Sequence, residues 1–323
     1  MVNPRVRKPF RRLGPYAQTE PEVIRAKEET QTRGERVKQA ALNKTPQRLK
    51  NPSNLQVRIR TGAVYIALTV ICVLASTAST AVYLSALSAI CAWEFYYMLR
   101  SDAKLPNEML GVIAAAVFPL AMWQFGWRGI ILTFMIFLLA VLVWYVLWHH
   151  ARITDVATSI FGAIYTGLIM SLAMALRLAI PGIWGGVLLL GIFASIWGND
   201  AFAYLVGSRI GKHKLAPSIS PKKSWEGFIA GLLFSMGAWC LLTFIPGLQM
   251  SIPLALLFGL ICGLAAVLGD LVESRIKRNS GFKDSGTIMP GHGGLLDRCD
   301  SQFPVTMVAV VLLSIGGCLP GVL

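Results

Sequence analysis

Nine apolar stretches recur along this chain, at about 61–79, 81–99, 107–125, 129–148, 156–176, 183–206, 227–245, 252–273 and 302–319. A helix of roughly 20 apolar residues is what crosses the ~30 Å hydrocarbon core of a bilayer. Unpaired backbone N–H and C=O groups are intolerable in lipid, so such stretches are expected to be helices. Their continuous apolarity, without alternation, excludes a transmembrane β-barrel. The fold class that follows is an all-α integral membrane protein, a polytopic bundle of about nine transmembrane helices. The weakest separator is 76–80, between the first two spans. Composition agrees: 55% of residues are hydrophobic and 14% charged, where an ordinary soluble domain carries about 25% charge.

Charge orients the bundle. The first 60 residues hold 15 of the 30 Lys and Arg. With the N-terminus inside, the inner loops near 100–104, 149–155, 207–225 and 274–301 hold all the others except Arg128 and Arg177. A split of 28 to 2 is a strong positive-inside pattern, and it places both charged C-terminal loops in the cytoplasm.

Two regions are expected: a basic, largely disordered tail over 1–55 and a polytopic catalytic region over 56–323. In the tail, Pro4, Pro9, Pro15 and Pro21 oppose regular structure, and five Glu interleave with the cations. It lacks the apolar core of a secretory signal, so the first span is expected to direct insertion. A helix over 20–49 lying on anionic headgroups is the competing reading. The net charge of +14 therefore marks topology and does not imply nucleic-acid binding.

Other classes fall away. The six cysteines form no CxxC pair, so neither a zinc site nor a disulfide framework is indicated. The N-terminal spans are nearly devoid of ionisable groups, whereas the C-terminal half contains Asp200, Glu226, Asp270, Glu273, Asp284, Asp297 and Asp300, an asymmetry that argues against an inverted-repeat transporter.

Three polar constellations interrupt that half. In the first, Asp200 and Tyr204 share a helix face before a Gly-punctuated basic loop containing Arg209. The spacing G-x-x-x-G-K at 207–212 is too short for a P-loop, so the loop reads as a positive-inside anchor or a phosphate site. In the second, Ser220, Lys222 and Lys223 precede Ser224, a candidate cap for the next helix. The free N–H groups there, beside two lysines, suit an anion. Glu226 would need a balancing cation.

The third constellation, 274–300, carries eight formal charges between two apolar spans. Asp270, Glu273, Ser274 and Lys277 fall at i, i+3, i+4 and i+7, a single stripe at the end of a helix. Lys283 and Asp284 follow, then a Gly-rich turn around His292, then Asp297, Arg298 and Asp300. Asp270, Asp297 and Asp300 make a candidate Mg²⁺ site, since that ion takes oxygen ligands and shares them with phosphates. The competing reading is a set of interhelical salt bridges involving Lys277 and Arg298.

The last constellation resembles the signature of the phosphatidate cytidylyltransferase (CDP-diacylglycerol synthase) family: S-x-hydrophobic-K-R, K-D-x-small, P/G-x-H-G-G and D-R-x-D. Ser274, Ile276, Lys277, Arg278, Lys283, Asp284, Gly286, Pro290, His292, Gly293, Gly294, Leu295, Asp297, Arg298 and Asp300 match it. Met289 and Cys299 are mild departures. The stretches around Asp200–Tyr204 and 219–227 look like other blocks of that family.

The resemblance implies transfer of CMP from CTP to phosphatidic acid, giving CDP-diacylglycerol and pyrophosphate. It implies Mg²⁺, as two cations, at Asp270, Asp297 and Asp300. Lys277, Lys283, Asp284, His292 and Arg298 would belong to the catalytic set. Asp200, Arg209, Ser220, Lys222 and Lys223 would bind substrate. Membrane lipids are the other expected partners, nucleic acid is not, and a homodimer is left open. The expected place is the plasma membrane of a prokaryote, multi-pass, with the site facing the cytoplasm. CMP transfer to a different lipid phosphate, or a phosphate-linked transporter with the same basic mouth, stay open as alternatives.

Glu94 falls within the second span. A central carboxylate costs about 2.5–3.5 kcal/mol on insertion scales, so it is expected to face protein in a structural role.

Overall fold

The computed structural model describes residues 55–100, 106–216, 220–291 and 293–319. The tail expected over 1–55 lies outside the described residues except for its last position.

Helix α1 (Leu55–Ala75) ends and α2 (Thr77–Arg100) begins around Ser76. Ser79 N–H donates to Ser76 Oγ at 2.9 Å and Ser76 N–H to Ser79 Oγ at 3.0 Å, a reciprocal cap of two orphan amides. Ser79 Oγ also donates to the Cys72 carbonyl at 2.7 Å, satisfying the end of α1. The weak separator in the sequence is therefore a hydrogen-bonded turn.

Helix α3 (Glu108–Leu147) has 40 residues, opened by an Asn107 cap, and would be about 60 Å long if straight, twice the hydrocarbon thickness. It is not straight. Gly126 has φ 58° and ψ −144°, a conformation that side chains resist. A Cβ on Gly129 would collide with the Ala121 carbonyl, although eight residues of straight helix would separate them by about 12 Å. The chain turns back at Gly126, and the halves 108–125 and 127–147 are each long enough to cross.

Next come α4 (Ile153–Ala163), a π turn at Ile164–Leu168 and α5 (Ile169–Ala179), forming one span. Helix α6 (Ile183–Ile210) leads into a hairpin of β1 (Lys214–Ala216) and β2 (Ser220–Ser224). The strands pair antiparallel, Lys214 with Ser224 and Ala216 with Ser220. The sequence predicts a loop here, rigidified by Pro217 and Pro221. A two-stranded ribbon has only edges, where proline is tolerated. Helices α7 (Trp225–Leu242), α8 (Ile252–Asn279), α9 (Leu296–Cys299) and α10 (Gln302–Ile315) complete the chain.

Among the described residues, eight helical segments are long and apolar enough to span a membrane. The break at Gly126 divides one of them, which restores the nine expected crossings. Trp239, Tyr96, Phe95, Phe118, Phe193 and Phe303 are fully buried. Leu132, Met135, Ile136 and Leu139 are exposed, as suits a helix face turned to lipid.

Contacts sort the turns by end. Arg177 is buried and donates through Nε to the Val73 carbonyl at 3.1 Å and through a guanidinium nitrogen to Gly182 O at 2.9 Å. Gln249 N–H donates to Cys318 O at 3.1 Å, and Trp123 Nε1 to Thr77 Oγ1 at 3.3 Å. The short turns therefore gather at one end. At the other, Thr61 Oγ1 donates to Pro290 O at 3.1 Å, clipping α1 to the loop after α8.

Candidate active site

At that second end a cavity of about 700 Å³ opens between α6, the hairpin, α7, α8 and α9, within the size range of small-molecule sites. The hairpin is anchored on α7: Ser224 Oγ caps it by accepting Gly227 N–H at 3.3 Å, and Trp225 N–H donates to His213 O at 2.9 Å. Glu226 finds its partner in His213, whose Nδ1 lies 2.8 Å from Oε1. Asp200 and Tyr204, one turn apart on α6, both line the cavity, as do Gly207 and Gly211.

Helix α8 stays helical to Asn279, past the end of its apolar run, so the whole stripe from Asp270 to Lys277 stands on one rigid element. Asp270 pairs with Lys223 from β2 and accepts Ser274 Oγ at 3.3 Å. Lys277 Nζ lies 2.5 Å from Glu273 Oε2 and 2.6 Å from Asp297 Oδ1. Asp297 Oδ2 accepts Ser285 N–H at 3.0 Å and Gly294 N–H at 2.8 Å. Asp300 Oδ1 accepts Ser301 N–H at 2.6 Å.

Carboxylate oxygens of Asp270, Glu273 and Asp300 all lie within 4.8 Å of one another. At such spacing each ionised pair repels by roughly 3–4 kcal/mol at an effective dielectric near 20. Lys223 and Lys277 offset part of this. Neither Glu273 oxygen, both buried, has a hydrogen bond, although Lys277 stands close enough for an ion pair. Three converging oxygen donors, one of them with a buried oxygen, Glu273 Oε1, that has no hydrogen bond, are the donor set a hard divalent cation takes. The group could hold a metal.

Of the residues singled out in the sequence, Asp200, Lys223, Asp270 and Lys277 line this one cavity together with Asp284, Asp297, Arg298 and Asp300. Arg209, Ser220 and Lys283 are not among its lining residues. The Lys222 side chain and His292 lie outside the described residues. The sequence grouped Asp297 with Asp270 and Asp300 as metal ligands, whereas the geometry gathers Glu273 with them. Asp297 is instead engaged by Lys277 and two backbone amides. Glu273 carried a signal, since it is on the Asp270 stripe. Towards Asp297, Ser285 and Gly294 act through backbone N–H groups, which leave no mark in residue type.

Residues 56–316 match the profile described as the cytidylyltransferase family. The chain is 46% identical over 122 residues to a phosphatidate cytidylyltransferase of Staphylococcus haemolyticus, covering 38% of this chain and 47% of that protein. It is 38% identical over 165 residues to one of Mycobacterium tuberculosis, covering 50% of this chain and 48% of that protein. The chain thus spans about half the length of the curated relatives it matches.

Proposed function

This chain belongs to the cytidylyltransferase family, and from that premise we propose that it transfers CMP from CTP to phosphatidic acid, forming CDP-diacylglycerol and pyrophosphate. One observation carries the reading: cations and carboxylates from four separate segments, Asp200, Lys223, Asp270 and Arg298 among them, converge on a single cavity at the end of a membrane bundle. A water-soluble nucleotide enters from that end, while the acyl chains of a lipid stay between helices in the bilayer.

The chemistry asks for little covalent work by the protein. An oxygen of the lipid phosphate attacks the α-phosphorus of CTP, the bond to the β-phosphate oxygen breaks, and pyrophosphate leaves with the electron pair. The attacking oxygen is already anionic, so no general base is required. The obstacle is the repulsion between two anionic reactants, which fixed cations offset. Lys223 and Arg298 line the cavity where those phosphates would lie. Lys277 is committed to Glu273 and Asp297, and holds α8 to α9. Asp200 and Asp284 orient the cations around them.

Asp270, Glu273 and Asp300 would hold Mg²⁺, with Asp297 adjoining, and two such ions fit the family resemblance. When bound, the metal supplies Lewis-acid stabilisation of charge on the transferred and leaving phosphates. The positive-inside distribution of Lys and Arg supports a cavity that faces the cytoplasm, and bacterial relatives support a prokaryotic plasma membrane as its setting.

The test is pyrophosphate release by the full chain in detergent micelles. CTP and phosphatidic acid together should release it, and neither alone should. No release with both present would overturn the reading, and CTP hydrolysis without lipid would make the protein a phosphohydrolase.

A further inference from the structure

Glu94 lies on α2, about 180 residues before the signature segment and outside every motif read from the sequence. Its side chain is buried, with 1% of the residue exposed, and no cation pairs with it among the described residues. Instead Oε2 accepts Ser285 Oγ at 3.0 Å and Leu296 N–H at 2.8 Å, and Oε1 accepts Leu295 N–H at 3.0 Å. Asp297 takes the neighbouring donors, Ser285 N–H at 3.0 Å and Gly294 N–H at 2.8 Å. Ser285 therefore serves both carboxylates, and the consecutive amides of 294, 295 and 296 are divided between them. Across the loop, Met289 and Gly293 exchange two backbone hydrogen bonds at 2.9 and 3.1 Å, closing it.

The fit is steric as well. A Cβ on Gly286 or on Gly294 would collide with the Glu94 carboxylate. The small residue at 286 and the second glycine of the His-Gly-Gly run are thus shaped to a side chain that the motif does not contain.

We propose that Glu94 is the positioning residue of the acidic site. Through Ser285 and the adjoining amides it fixes where the Asp297 carboxylate stands, and through Lys277 it fixes the place of Glu273. Glu94 is not among the residues that line the cavity. The claim about turnover rests on the function proposed above, while the claim about geometry does not.

Glu94→Gln in the full chain tests it, because a carboxamide NH₂ would confront at least one N–H donor. Hydrogen exchange should quicken at the amides of 295 and 296 and also at 285 and 294, which Asp297 holds. Turnover per folded molecule should fall by about tenfold to a hundredfold, the scale for a displaced active-site group. The apparent KM for CTP should stay within about twofold, as expected when ground-state binding is untouched, and half-saturation by Mg²⁺ should rise. Glu94→Asp, which keeps the charge on a shorter stem, should recover part of each effect.

Gly286→Ala pushes on the same carboxylate and supplies a milder version of the same signature if Glu94→Gln does not fold. Wild-type protection at 285 and 294 in the folded variant, or wild-type turnover with an unchanged Mg²⁺ response, would overturn the proposal. If the wild-type protein released no pyrophosphate, the exchange data would still decide the geometric claim.

Discussion

Lys277 and Asp297, 20 positions apart in sequence, meet at 2.6 Å with little of either side chain exposed. The same ammonium lies 2.5 Å from Glu273, so one cation ties the end of α8 to α9 and holds two carboxylates together. Removing one partner of a buried ion pair costs about 3–5 kcal/mol, because the remaining charge is left uncompensated. Lys277→Met leaves two such charges. We expect its unfolding midpoint in detergent to drop sharply and its folded yield to fall. An unchanged midpoint would show that the pair contributes nothing to the fold.

The acidic cluster is tested by Asp270→Asn, Glu273→Gln and Asp300→Asn. Each keeps size and removes a hard anionic ligand, so turnover should fall by about 10²-fold or more, as for other preorganised electrostatic groups. At least one variant should need more Mg²⁺, having lost an oxygen ligand, and chelation should silence the wild type. Asp297→Asn should also lose turnover, since an amide cannot accept from Ser285 and Gly294 while pairing with Lys277. Folded fraction is measured alongside. Well-folded variants with normal turnover and metal response would leave the cluster as a set of salt bridges.

Topology is open to cysteine labelling in a background without the six native cysteines, all of which are free. Thr287 and Gln249 are both exposed, at opposite ends of the bundle. A membrane-impermeant reagent applied to intact cells should label Gln249→Cys and leave Thr287→Cys untouched until the membrane is opened. The reverse pattern would invert the assigned orientation.

Every motif lies beyond residue 195, so deleting residues 2–50 should leave turnover per inserted molecule largely intact. Insertion efficiency or dependence on anionic lipid should change instead, because basic residues near a charged surface each contribute about 1 kcal/mol. A truncated protein that inserts correctly but does not turn over saturating CTP and lipid would make the tail part of the machinery.

The bundle was legible in the sequence alone. Hydrocarbon tolerates only helices with closed hydrogen bonding, so apolar length was enough to read the spans, while the Lys/Arg split supplies an orientation that the labelling experiment tests. The sequence also singled out Asp270, Lys277, Asp297 and Arg298, charges that are costly beside lipid and that default to a functional reading. Which groups meet follows from how the helices and loops pack. Spacing along one helix places Asp270 and Glu273 on a single face, yet whether Asp297 or Glu273 joins Asp300 depends on how α9 is held against α8. That is settled by Lys277, by the backbone amides of Ser285 and Gly294, and by Glu94 beneath the same loop. The hairpin that brings Lys223 to Asp270 was hidden for a similar reason, since its pairing is a backbone property that Pro221 obscures. Residue type records which charges a site contains; the path of the backbone decides which of them share it.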